Sequence, residues 1–113
     1  MLPTTPPSTP AKNLVSLPWQ FLRLADGGKQ IEISLDYGGC TSFDYLQVQQ
    51  GTGSVEITAW GTHTATSHTV CPAFEAILRG AVALDAPLGS RQLFHGPVSR
   101  GRITPLVHIS PMR

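Results

Sequence analysis

Four histidines, two cysteines and a scatter of Asp, Ser and Thr are the side chains of this 113-residue chain that could do chemistry. A Ser-His-Asp set can be drawn from His63, His68 and His95 with several Ser and Asp residues. No G-x-S-x-G elbow accompanies it, and spacing alone brings none of these groups together. His95, in LFHG, falls where a strand should end, and His108 stands alone in the tail. Cys40, Cys71, His63 and His68 are zinc-ligand types. They lack C-x-x-C and H-x3-H spacing, and both histidines lie in the Thr-rich stretch GTHTATSHT, 61–69. Asp36, Asp44 and Asp85 lie near expected strand ends, where carboxylates cap turns, and no D-x-D-x-D calcium loop is present. The reading is therefore no catalytic residues, no metal and no cofactor: the chain is not expected to be an enzyme.

The two cysteines admit three readings: a Cys40–Cys71 disulfide, two buried thiols, or a metal site. The bridge is the favoured one. It would close a loop of roughly 32 residues, worth about 3–4 kcal/mol in the loop-entropy model, and would favour an oxidising setting. Gly38-Gly39 would allow the sharp backbone path that turns Cys40 inward.

These residues sit in a chain patterned for strands. Ile31, Ile33, Leu35 and Tyr37 alternate with Gln30, Glu32, Ser34 and Asp36, a period-2 strand with one wet face. Leu22 and Leu24 alternate more weakly before it, and Asp26-Gly27-Gly28 tolerates the positive φ of a tight hairpin turn. A second hairpin follows. Leu46 and Val48 alternate within 44–50, Gly51-Thr52-Gly53 turns the chain, and Val55, Ile57 and Ala59 alternate after it.

Residues 71–86 carry both helical spacing (Phe74, Ile77, Leu78, Ala81, Val82) and a central Gly80. The pattern predicts a turn at 72–76 and a strand over about 77–86. Pro87-Leu88-Gly89-Ser90 should reverse the chain into the short strand RQLFHG. In this loop Leu88 should plug the core end, and Arg91 either pairs with Asp85 or is presented to a partner. Six to seven short strands at hairpin spacing predict a mainly β, small antiparallel β-sandwich, Ig-like or barrel-like. It spans 18–96, between a proline-rich, flexible N-terminal arm (1–17) and a C-terminal extension (97–113) with a candidate edge strand broken by Pro105.

Among the large aromatics, Trp19, Tyr45 and Trp60 are candidates for outward faces. Tyr45 and Trp60 fall on the two arms of one hairpin, out of phase with Val48 and Ile57. They are expected as a cross-strand pair on the second face, either core under another sheet or a contact surface.

Composition narrows the function classes. Net charge is only +1 and no run of like charges occurs, so there is no electrostatic footprint for nucleic acid. No apolar stretch approaches the roughly 20 residues of a membrane span, and MLPTTPPSTPAKN lacks the basic and apolar regions of a signal peptide.

The segments DGGKQIEISLDYGGC (26–40), SVEITAW (54–60), VCPAF (70–74) and VALDAPLGSRQLFHG (82–96), in that order, resemble a small domain of actinobacterial exported proteins and lipoproteins. The resemblance spans about residues 18–96. It implies a disulfide-tied β domain outside the cytoplasm with no catalytic residues to carry over. The expected function is a non-enzymatic binding or structural module of an exported or cell-envelope protein, with a protein partner and an oligomer as candidates. The alternative is a virion accessory protein of an actinobacterial phage, its arm lying on a capsid or tail. Tyr45, Trp60 and Arg91 are the candidate interaction residues.

Overall fold

The computed structural model describes residues 1–6, 14–63 and 75–98. Seven strands run in order β1 (Leu14–Leu17), β2 (Trp19–Ala25), β3 (Gln30–Gly38), β4 (Thr41–Gln50), β5 (Ser54–His63), β6 (Glu75–Ala83) and β7 (Gln92–His95). They form two facing sheets. One has the order β2-β3-β6; in the other β5 is central, with β4 on one side and β1 and β7 in succession on the other. β1 takes positions 59–62 of β5 and β7 takes 54–57. All pairs are antiparallel except β5–β7, which is parallel. The chain returns to that edge from the opposite sheet through the 84–91 loop, so no hairpin dictates direction.

The core is the inward phase of both sheets. Ile31, Ile33 and Leu35 of β3 face Leu46, Val55, Ile57 and Ala59 of β4 and β5, all fully buried. Outward positions of β3 are Gln30, Glu32, Ser34 and Asp36, so the alternation read from the sequence is the observed one. β6 pairs with the whole of β3, setting Val82 beside Ile31, Gly80 beside Ile33 and Leu78 beside Leu35. Tertiary pairing thus settles the helix–strand ambiguity of that segment as strand. It begins at Glu75 and ends at Ala83; the turn expected at 72–76 lies largely outside the described residues.

Asp26, Gly27 and Gly28 all adopt positive φ in the β2–β3 turn, at 52°, 63° and 91°. β2 carries a bulge between Phe21 and Arg23. Phe21 and Leu24 therefore oppose Ile33 and Ile31, while Leu22 drops out of register and stays exposed. Leu88 is fully buried and its N–H donates to the Gly28 carbonyl at 2.9 Å, which makes it the expected plug at this end of the core.

The first six residues are part of the fold. The Leu2 N–H donates to Ala81 O at 2.7 Å on β6, and Leu46 N–H donates to Pro3 O at 2.9 Å on β4. Leu2 packs against the core beside Gly80, where a Cβ would come within 2.6 Å of its Cγ.

Cys40 is buried and faces inward, while Cys71 lies outside the described residues, so the expected Cys40–Cys71 bridge falls on residues outside those described. The turn before Cys40 needs no left-handed glycine, since neither Gly38 nor Gly39 has positive φ.

Candidate functional site

The outer face of the four-stranded sheet collects the side chains with most to offer a partner. Tyr45 and Trp60 are direct cross-strand neighbours on β4 and β5, as their phase predicted. Both are half-buried, and among the described residues no second sheet covers them. The Trp60 Nε1–H donates to Gln47 Oε1 at 2.8 Å, fixing the indole across the sheet. A bulge between Phe43 and Tyr45 turns Asp44 toward β5, where Thr62 Oγ1 donates to its Oδ2 at 2.6 Å.

On the far edge, Phe94 of β7 opposes Glu56 and is 39% exposed, and Leu14 of β1 opposes Thr62 and is also exposed. Between them Gly96 lies over Thr58, which is why Thr58 is buried on an outer face. Phe94, Leu14 and Gln47 were not singled out from the sequence. Alternation in QLFH placed Phe94 opposite in phase to Leu93, but only the parallel β5–β7 pairing puts it on this face.

The outer face of the three-stranded sheet is different. Arg23 Nε and Nη2 bind Glu32 Oε1 and Oε2 at 2.8 and 3.1 Å. This pairing raises the Arg23 pKa and lowers that of Glu32, chiefly through the hydrogen bond itself. Both groups stand in solvent, where such a pair adds little stability. With Arg79, Gly80, Ala81 and Leu22, Glu32 lines a shallow depression of about 400 Å³.

The Arg91 side chain is engaged within its own chain. Its guanidinium donates to the carbonyls of Ala86 (3.0 Å), Pro87 (3.1 Å), Leu88 (3.3 Å) and Gly51 (3.3 Å). These bonds brace the 85–91 loop against the β4–β5 turn. The anticipated Asp85 pairing is replaced by carbonyl oxygens, and the Asp85 N–H instead donates to Gln50 Oε1 at 3.1 Å.

Trp19 is corrected from an outward candidate to the largest of the fully buried side chains, 1% exposed. Pro18 carries the chain from β1 in one sheet to β2 in the other, and Trp19 then packs under β7. Its indole stacks on His95 with ring centroids 4.6 Å apart, and its Nε1–H donates to Ile57 O at 2.9 Å. The Trp19 backbone N–H donates to His95 Nε2 at 3.0 Å, and His95 Nδ1 donates to Gly96 O at 2.5 Å. A carbonyl can only accept, so the proton sits on Nδ1 and the lone pair on Nε2: the ring is neutral and its tautomer is set. Burial pushes the His95 pKa below its ordinary value, partly offset by the Gly96 carbonyl.

The remaining chemical candidates are dispersed. His63 shares a 3.1 Å hydrogen bond with Thr41 Oγ1 at the start of the β4–β5 ladder, and His68 and His108 lie outside the described residues. Among the described residues no three His, Cys, Asp or Glu side chains converge as a metal site, and no helix is long and apolar enough to cross a membrane.

No protein-family model, curated protein or solved structure matches the chain. The resemblance to actinobacterial exported domains thus finds no family behind it and is withdrawn.

Proposed function

We propose that the chain is a non-enzymatic recognition module that binds a protein partner through the outer face of its four-stranded sheet. One observation carries this reading. The face sets Tyr45, Trp60 and Phe94 among uncharged Gln47, Gln49 and Thr58, with Glu56 and the hydroxyl-bonded Asp44 as its acidic groups. Aromatic enrichment and charge depletion are what distinguish the centre of a protein interface from ordinary surface. The reading fits an exported or envelope module and a virion accessory protein alike.

The test is recovery of a partner from the native source with immobilised full chain and three variants. Phe94→Asp and Gln47→Arg place charge on the proposed face, and Leu22→Asp does so on the other sheet. A protein retained by wild type and Leu22→Asp but lost with both face variants supports the reading. Equal retention by all variants, loss with Leu22→Asp alone, or a polysaccharide as the retained species overturns it.

A further inference from the structure

We propose that the seam between β4 and β6 is an acceptor site for the N-terminal segment Met1–Pro6 of a second copy of this chain. In the single chain the seam holds its own segment, which shows what the site recognises. Two sheet edges face each other there, one offering the Ala81 carbonyl and the other the Leu46 N–H, and an extended segment satisfies both through Leu2 N–H and Pro3 O. The absence of a side chain at Gly80 leaves the niche that Leu2 fills. These contacts are two backbone hydrogen bonds and one aliphatic side chain, so an identical segment from any copy reproduces all of them, as in strand addition to a sheet edge.

The connection makes exchange feasible. Pro6 and Leu14 are joined by seven residues, PSTPAKN. Leu14 begins β1, which lies on the opposite side of β5 from β4. The segment is thus held to the fold by the seam contacts, and seven residues of sequence separate it from β1. A connection of that length holds its own segment at an effective concentration on the order of millimolar. Exchange therefore competes where copies are packed at that density, and swapping an identical element needs no new surface. The aromatic face takes no part, so this inference stands apart from the partner reading above.

A complementing pair of full-length variants tests it. Leu2→Asp keeps the seam but spoils the plug. Gly80→Val fills the niche and frees an intact segment, and a β-branched residue suits a strand. Mixed one-to-one near millimolar concentration, the two should form a heterodimer whose fraction rises with concentration, while each alone stays monomeric at the same concentration. Should Leu2→Asp fail to fold, Leu2→Ala replaces it. Independently, a synthetic MLPTTP peptide titrated into the Leu2 variant should shift the amide resonances of Gly80, Ala81 and Leu46 saturably. A mixture that sediments as two monomers, or peptide shifts confined to other residues, overturns the proposal.

Discussion

Along one side of the sandwich the chain itself crosses between the sheets at Pro18; along the other, the segment Met1–Pro6 hydrogen-bonds to an edge of each. The first seam is dense. Trp19 spans both sheets, its indole and backbone N–H groups both donate, and Gly96 N–H joins Trp19 Nε1–H on the single carbonyl of Ile57. The second has Leu2, two backbone hydrogen bonds and a glycine niche. The difference teaches where this small core keeps its stability and where it can open. Buried aromatic area and satisfied polar groups hold the covalent seam, and a modest aliphatic contact holds the other.

The largest effect expected from breaking this asymmetry is at Trp19. Trp19→Ala removes the stacked ring and its hydrogen bond, leaves a cavity under β7 and orphans part of the bonding at Ile57 O. Large-to-small changes of this kind cost about 3–5 kcal/mol, a large share of the ~5–15 kcal/mol that a domain of this size holds. Urea denaturation should show a markedly lowered midpoint, with the slope unchanged if the native fold persists. A midpoint near that of wild type would mean that the crossover seam is not the stronger one.

A matched pair of glycine substitutions comes next. At Gly96 a Cβ would run into Thr58 Oγ1 and Cβ and approach Ile57 O. Those atoms belong to a paired strand and cannot yield without moving β5. Gly96→Ala should therefore cost about 1–3 kcal/mol, as overpacking does. At Gly80 the added Cβ meets the Leu2 side chain alone among its nearest neighbours. That chain can swing away with its segment, and the stiffer backbone of Ala offsets part of the loss. Gly80→Ala should cost under about 1 kcal/mol on the same reasoning. Thermal denaturation of the two variants side by side checks the ranking, and a Gly80→Ala loss as large as that of Gly96→Ala would remove the distinction between the seams.

The hairpins of β2–β3 and β4–β5 were legible because their alternation is a local signal that the tertiary structure reuses unchanged. The Tyr45–Trp60 pairing was legible for the same reason: hairpin register and side-chain phase together fix cross-strand neighbours. What could not be read are features made by distant partners. Leu22 and Leu24 look alike in the sequence, but the bulge puts Leu24 in the phase of Phe21 and drops Leu22 out of register, and both stay exposed. LVSL at 14–17 is too short to stand out as a strand, and forms one because β5 offers it an edge. The proline-rich start gave no sign that Leu2 would find a niche at Gly80, 78 positions away. Trp19 carried no mark of its burial until β7 and β5 supplied its partners.

The smallest effect is a titration, and it distinguishes the seams by chemistry rather than by size. Protonating His95 at Nε2 removes the lone pair that accepts the Trp19 N–H. Its pKa is lower in the folded protein than its ordinary value of 6.5, with burial as the main cause. The unfolded chain therefore takes up this proton first as the pH falls. The stabilisation is whole above 6.5, declines as the pH drops below it, and is gone once the pH has passed the lowered folded value. The groups opposing the ring from β5 and β2 are Ile57 and Trp19, neither of them titratable, while Glu56 opposes Phe94 on the outer face. Stability should thus fall on mild acidification in wild type and lose that slope in His95→Phe, which keeps a ring against Trp19 but has nothing to protonate. Amide hydrogen exchange localises the effect. Trp19 should lose protection faster on acidification than exchange chemistry alone dictates, while Leu46, bonded to Pro3 O in a seam whose contacting side chains are aliphatic, should not. Equal loss at both amides would mean that the two seams open as one, and the comparison between them would fail.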